Sequence, residues 1–310
     1  VTRVVTLGET MALARTTEVG SLRHAAGLAL GIGGAETNVA VGLRRLGVDA
    51  AWLGRVGDDP LGERIARELR GEGLDVRAIV DAAAPTGLML KERPSAASTA
   101  VHYYRRGSAG SRLAPDDLPA GWIENADLLH VTGITPLLSD TARATVLAAV
   151  ERARAAGVPV SFDVNYRSAL ASAVIAGPIL REIAALSTLV FGGVEEFALM
   201  SPDAAESLLD SGVQHVVVKR GPDGAAAFTT AGATEALGFV IDPLDTVGAG
   251  DAFVAGYLSA HLEGLDVADT LVRANACGAM ACLVPGDWEA APTRRDLERF
   301  LAGGGDPVRR

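Results

Sequence analysis

The sequence predicts an α/β protein: a mostly parallel sheet covered by helices on both faces, with a small separate β-sheet lid. Three observations predict it. Short apolar runs alternate with longer stretches of helical periodicity along most of the chain. Two stretches, residues 15–33 and 76–106, break that rhythm with extended runs and turns. The composition, 49% hydrophobic and 21% charged over 310 residues, is that of a globular chain able to bury a large core without disulfides or metals.

The elements follow in order. Strand-like runs occupy residues 4–7, 51–56, 127–131, 158–162, 188–191 and 216–219, with helical stretches at 37–46, 61–69, 141–156 and 252–262. Strands alternating with helices argue for a parallel sheet, whose ligands gather beyond the carboxyl ends of the strands. Within the irregular regions, residues 86–91 and 99–104 read as strands that pair in the lid. The expectation is one domain over residues 1–310, with a discontinuous lid from about 15–33 and 76–106. The tail from residue 303 to 310 reads as frayed.

Charge and cysteine usage narrow the function. The net charge of −10 repels polyanions and argues against general nucleic-acid binding; an anionic small substrate would need local arginines. Lys91 and Lys219 are the only lysines, which reads as a bias of base composition toward arginine. Cys277 and Cys282 match no metal or redox spacing and read as buried structural thiols in a reducing compartment. The first residues lack the basic head and apolar run of a signal peptide, and no 18-residue apolar stretch is free of charge. A soluble cytoplasmic protein without membrane association is expected.

Two glycine-rich segments carry the chemistry. Asp245-Thr246-Val247-Gly248-Ala249-Gly250-Asp251-Ala252-Phe253 opens a long helix, where free amides and the positive end of the helix dipole suit phosphate oxygens. Asp251 at its mouth suits a carboxylate that accepts a proton from an attacking hydroxyl; a glycine turn capped by Asp251 reads equally well. The second segment, Gly31-Ile32-Gly33-Gly34-Ala35-Glu36-Thr37-Asn38, has no strand directly before it in this reading, so a dinucleotide fingerprint fits poorly. Asn38 falls where its side chain reaches a ligand lying on Gly33 and Gly34, or local backbone.

Together these segments resemble the paired signatures of the ribokinase-like, or phosphofructokinase-B, carbohydrate kinases, over nearly the whole chain from Gly8 to about Pro292. The resemblance implies a three-layer α/β/α domain using ATP and Mg2+, with monovalent-cation activation left open. It implies that Gly248, Ala249 and Gly250 form the anion hole and that Asp251 is the general base, with an ordinary carboxylate pKa near 4 as the default. Lys219, followed by Gly221, Pro222, Asp223 and Gly224, resembles the strand and loop around the nucleotide. Asn165 and Asn275 match further ATP positions. Turns, a surface charge and a polar helix residue remain the plain alternatives.

A finer match concerns the sugar. The run His102-Tyr103-Tyr104-Arg105-Arg106-Gly107-Ser108-Ala109 resembles that of 2-keto-3-deoxygluconate kinases, as do Gly8-Glu9-Thr10-Met11 and Asp163-Val164-Asn165-Tyr166-Arg167. Arginine grips a carboxylate through its planar fork, so Arg105 and Arg167 are expected to clamp a sugar acid, with Tyr103 as a wall and Asp287 on a sugar hydroxyl. An edge-strand charge and a loop ion pair are the alternatives for the arginines. The family's asparagine-x-x-glutamate motif keeps Glu196, which would hold magnesium through water, but Gly193 stands in place of the asparagine. Met89 stands where a polar or aromatic substrate contact is expected.

The resemblance implies an ATP-dependent kinase forming the 6-phosphate of 2-keto-3-deoxygluconate, assembled as a homodimer or larger homo-oligomer through the lid. A kinase of neutral sugars such as fructose or ribose, and a non-catalytic sugar- or nucleotide-binding regulator, are the alternatives.

Overall fold

The computed structural model describes residues 2–95, 98–201 and 203–303. The tail from 304 onward, predicted to fray, lies outside the described residues. In chain order the strands are β1 (Arg3–Leu7), β2 (Met11–Thr16), β3 (Leu28–Gly33), β4 (Asp49–Gly57), β5 (Asp75–Asp81), β6 (Leu88–Ser95), β7 (Ser98–Tyr104), β8 (Leu128–Thr132), β9 (Val160–Asp163), β10 (Leu189–Gly193), β11 (His215–Lys219), β12 (Ala225–Thr229) and β13 (Gly232–Ala236). The helices are α1 (Ala35–Arg45), α2 (Pro60–Gly71), α3 (Asp140–Ala155), α4 (Ala173–Ala185), α5 (Val194–Met200), α6 (Ala204–Asp210), α7 (Ala249–Leu262), α8 (Val267–Ala281) and α9 (Arg294–Leu301).

The main sheet runs β13-β12-β11-β10-β9-β8-β1-β4-β5 and is parallel from β11 to β5. Two antiparallel strands, β12 and β13, extend one edge. Alternate side chains of each central strand enter different cores. Val5, Leu7, Val190 and Val216 pack with α3 to α6, whereas Val4, Leu189, Phe191 and Val217 pack with α1, α2, α7 and α8. This three-layer α/β/α arrangement explains why the strands read as mostly apolar runs: parallel strands covered on both faces favour apolar residues on either side, and the buried His130 and Ser161 in β8 and β9 hydrogen-bond to each other. The strand order reverses between β8 and β1, which opens a crevice at the carboxyl ends there.

The lid is a second sheet of order β3-β2-β6-β7. Its extent differs from the sequence reading at both segments. Residues 76–81 belong to β5, which pairs parallel with β4 from Ala51↔Asp75 to Gly57↔Asp81 and so closes the edge of the main sheet. The lid resumes only at Leu88, and its first segment begins at Met11, where β2 pairs with β3 and β6. β6 and β7 pair antiparallel, placing Met89 opposite Tyr103, and Met89 packs with Met11 and Leu13.

Local chemistry sets the helix starts around the crevice. Asp59 caps α2, its Oδ1 accepting from the Leu61 and Gly62 amides at 3.1 and 2.9 Å, with Pro60 in the first turn. Gly248 precedes α7 at φ 80°, a left-handed conformation that favours glycine. A Cβ on Gly248 would also fall on the Asp287 carbonyl oxygen. Cys277 and Cys282 are buried free thiols, and burial pushes Cys277 up to about 12, which keeps it unreactive. Among the described residues no helix is long and apolar enough to cross a membrane.

Candidate active site

The candidate site lies where the carboxyl ends of β1, β9, β10 and β11 meet the start of α7 and the underside of the lid. Helix geometry leaves the Gly250 and Asp251 amides of α7 without intrahelical acceptors, while Ala249 donates to the Thr246 carbonyl at 3.3 Å. Asp251 is 7% exposed. Its Oδ2 accepts from Asn38 Nδ2 at 2.7 Å and its Oδ1 from Asn165 Nδ2 at 3.2 Å. It forms no ion pair among the described residues.

Burial pushes the Asp251 carboxyl up to about 7; the Asn38 hydrogen bond opposes the rise, the Asp163 carboxylate adds to it, and Arg167 and Lys219 counter it. The default near 4 is therefore corrected. Desolvation, which only the folded chain reveals, is the reason.

Lys219, at the end of β11, donates to Asp163 Oδ1 and Oδ2 at 2.7 and 2.9 Å. Burial disfavours its charged form, but the Asp163 and Glu196 carboxylates overcome that and raise its pKa, so it stays an ammonium. A Cβ on Gly250 would lie 3.6 Å from Lys219 Nζ, which sets this charge beside the free amides. Asn165 sits at φ 38°, the one non-glycine residue among the described with positive φ. The turn after β9 thereby aims its side chain back at Asp251 and, more loosely at 3.5 Å, at Asp163. Asparagine tolerates this region better than most residues.

A cavity of about 650 Å³ adjoins this charge cluster. Lys219, Gly221, Pro222, Gly224 and Asn275 all line it, as do Ala249 and Gly250. Asp223 is exposed and is not part of the lining. Asn275 spends its amide donor on the Ala236 and Leu237 carbonyls, both at 3.1 Å, which leaves its oxygen for a ligand. The sequence reading missed the opposite wall, formed by Gly238, Phe239, Val240, Ile241 and Pro243. An apolar run bounded by Gly238 and Pro243, close before the glycine segment, was the available signal.

On the lid side, Gly33 and Gly34 join β3 to α1. A Cβ on Gly33 would strike the Asp287 carboxylate and the Met89 methyl, so this backbone lies directly against both. Asp287 is buried, and burial pushes its carboxyl up to about 6, with Lys91 opposing and Glu289 adding. Tyr103 is half-exposed on β7.

The two candidate clamp arginines differ. Arg105 is buried, and its Nε and Nη2 both reach Glu9 Oε2, at 2.7 and 2.6 Å. Ser108 also donates to Glu9. The charge of Arg105 is thus balanced within the protein, unlike the free fork that the sequence suggested. Arg167 is exposed after β9 and forms no hydrogen bond or ion pair among the described residues, yet its charge is felt at Asp251.

Glu196 accepts from the Gly193 amide at 2.6 Å and the Tyr166 amide at 2.7 Å, one on each oxygen. Each oxygen keeps a lone pair for a water. Among the described residues no three His, Cys, Asp or Glu side chains cluster as a metal cage. This donor set fits Mg2+ held through water and phosphate oxygens, as that ion commonly is.

The chain resembles known proteins over nearly its whole length. The family profile described as pfkB family carbohydrate kinase matches residues 1–294. A Bacillus subtilis protein named 2-dehydro-3-deoxygluconokinase is 37% identical over 309 residues, 96% of this chain and 95% of its own. A Haloferax volcanii 2-dehydro-3-deoxygalactonokinase is 36% identical, covering 97% of each chain. The crystal structure of a PfkB protein from Polaromonas sp. JS666 superposes with a TM-score of 0.87 at 34% identity, over 96% of this chain and 99% of that one.

Proposed function

This chain belongs to the pfkB family of carbohydrate kinases, and from that premise we propose that it phosphorylates the terminal hydroxyl of a keto-deoxy sugar acid, converting 2-keto-3-deoxygluconate to its 6-phosphate. The observation that carries the reading is Asp251: a buried carboxylate with no ion pair among the described residues, held by two side-chain amides beside the free amides of α7. ATP would occupy the cavity between residues 221–224 and 238–243. Its terminal phosphoryl group would rest at the turn of Gly248, Ala249 and Gly250, on the free Gly250 and Asp251 amides beside Lys219.

The sugar would lie between Gly33, Gly34, Asn38 and the lid. Its hydroxyl oxygen attacks the terminal phosphorus, the bond from phosphorus to the bridging oxygen breaks, and ADP departs. Asp251 takes the hydroxyl proton. A carboxyl near 7 suits that task at neutral pH better than an ordinary one. Mg2+, when bound, supplies neutralisation of phosphate charge, with Glu196 as its water-mediated holder. Alignment and charge stabilisation supply most of the acceleration in phosphoryl transfer.

Arg167 supports an acid substrate, because an exposed guanidinium without a partner among the described residues, on a net-negative protein, suits a carboxylate. The names of the two relatives point to the same substrate class. Commitment of Arg105 to Glu9 favours the second reading, a neutral-sugar kinase. An ATP-dependent phosphorylation panel decides between them. Higher kcat/KM for 2-keto-3-deoxygluconate or its galactonate epimer than for fructose or ribose is expected; the reverse order would overturn the acid assignment.

A further inference from the structure

Lys91 has no part in the chemistry above, yet it is among the most buried charges in the molecule, 3% exposed on lid strand β6. Its Nζ reaches Asp245 Oδ2 at 2.7 Å, the Gly286 carbonyl at 2.9 Å and Asp287 Oδ1 at 3.3 Å. Three ammonium donors thus meet three oxygens. None of those oxygens belongs to the lid. They lie on the two loops that flank the glycine segment.

Those loops set the shape of the anion site. Asp245 Oδ1 accepts from the Val247 amide and its Oδ2 from the Gly286 amide, both at 3.2 Å, so one carboxylate fixes the turn into Gly248 and ties it to the second loop. On that second loop, the Asp287 carbonyl lies where a Cβ of Gly248 would be. Without a cation between them, two buried carboxylates would repel one another and spread the loops. Arginine could not replace the ammonium here, because a flat fork cannot converge on three oxygens around one point.

Composition supports the same view. The chain has two lysines against twenty-six arginines, and the other lysine, Lys219, is the ammonium on Asp163. Lysine occurs only at the two places where a compact charge meets buried carboxylate.

We propose that Lys91 is a positioning residue, a built-in monovalent cation carried by the lid that holds the turn before Gly248 in its phosphoryl-binding shape. The inference rests on the kinase reading of residues 248–251. It makes ordering of those amides depend on the lid being docked, so the anion site is fully formed only when the sugar side of the cleft is covered.

The test is Lys91→Ala, which removes the charge and leaves space, assayed with methylammonium, ammonium or tetramethylammonium chloride at constant ionic strength. Misplacement of the amides should lower kcat about 100-fold, with a smaller change in the KM for ATP. Methylammonium or ammonium should restore a large part of it, and tetramethylammonium, too bulky for the site, none. Amide hydrogen exchange over residues 244–251 should quicken in the variant and slow again with methylammonium. A kcat close to wild type, unchanged exchange over 244–251, or loss that neither small ammonium ion restores would each overturn the proposal.

The wild type supplies a check that needs no variant. Its turnover should be indifferent to exchange of Na+, K+ and tetramethylammonium; a strict K+ requirement would show that solvent, not Lys91, fills the cation position. Hydrogen exchange needs no sugar, so a wild type inactive on every sugar would sink the kinase reading while the exchange result still decides the role of Lys91.

Discussion

Replacing Asn38 with leucine tests the proton-accepting role of Asp251 most directly. Leucine keeps the γ-branched shape, with somewhat more bulk, but removes the donor that reaches Asp251 Oδ2 at 2.7 Å in a buried setting. A hydrogen bond to a charged group contributes about 1.5–3 kcal/mol, and it favours the carboxylate over the acid. At 1.36 kcal/mol per pH unit, its loss should raise the proton affinity of Asp251 by roughly one to two units. The wild-type carboxyl stands at about 7, and only its deprotonated form can accept the hydroxyl proton. The ascending limb of kcat/KM against pH should therefore have its midpoint near 7 in the wild type and distinctly higher in Asn38→Leu.

The assay is ADP release followed from pH 5.5 to 10 with the sugar well below its KM. At pH 7 the variant should be slower by roughly 5- to 50-fold on this account, and that part of the loss should vanish at high pH. Any pH-independent loss of sugar binding lowers the whole curve without moving its midpoint. A midpoint equal to that of the wild type would refute the reasoning and confine Asn38 to holding substrate.

Asp251→Asn should leave calorimetric ATP affinity near normal while lowering turnover by roughly 10²–10⁴-fold; substantial retained turnover would remove the residue from the base role. Arg167→Ala should raise the KM for a sugar acid by roughly 10- to 100-fold, the worth of a charge-assisted hydrogen bond, with little effect on a neutral sugar. Equal effects on both would argue against carboxylate recognition. Gly193→Asn restores the residue type that the family motif carries. A Cβ there would stand 3.6 Å from Glu196 Oε2 and 4.0 Å from the Lys219 carbonyl, and asparagine suits the cap of α5. The variant should fold normally and reach half-maximal rate at lower Mg2+; an unchanged Mg2+ titration would show that the glycine costs nothing.

The legible parts of the molecule were those set by neighbours in the chain. The central strands β1, β4 and β8 to β11 were visible because burial on both faces favours apolar residues, and the helices because their signals are local: side-chain caps from Asp59 and Ser139 at α2 and α3, and glycines just before long helix-forming runs at α1 and α7. Residues 76–81 were assigned to the lid since the edge strand β5, Asp-Val-Arg-Ala-Ile-Val-Asp, is only partly buried along most of its length and carries no mark of which sheet it joins. β12 and β13 were not seen because alanine and glycine, poor strand formers, fill most of their positions and leave one threonine in each. In the site, the residue 248–251 segment is contiguous and was read. Lys91 and its partners Gly286 and Asp287 stand 195 and 196 residues apart and could not be. Scarcity of lysine was a usable signal, attributed at first to base composition.

The raised carboxyl of Asp251 follows from how charge is distributed around it. Four aspartates gather at this end of the sheet. Asp163 is paired with Lys219, and Asp245 and Asp287 share Lys91. Each of those cations is already committed, so none is left to hold Asp251 ionised at short range. It receives two neutral amide donors instead, while the Asp163 carboxylate adds to the cost of a further negative charge. Had lysine stood at position 38, the resulting ion pair would depress the carboxyl below the neutral range and weaken it as a proton acceptor. Asparagine at both contacts orients the group without discharging it. Pairing Asp163, Asp245 and Asp287 with internal cations thus leaves Asp251 as the aspartate of the four without one, poised to exchange a proton near neutral pH beside the free amides of α7.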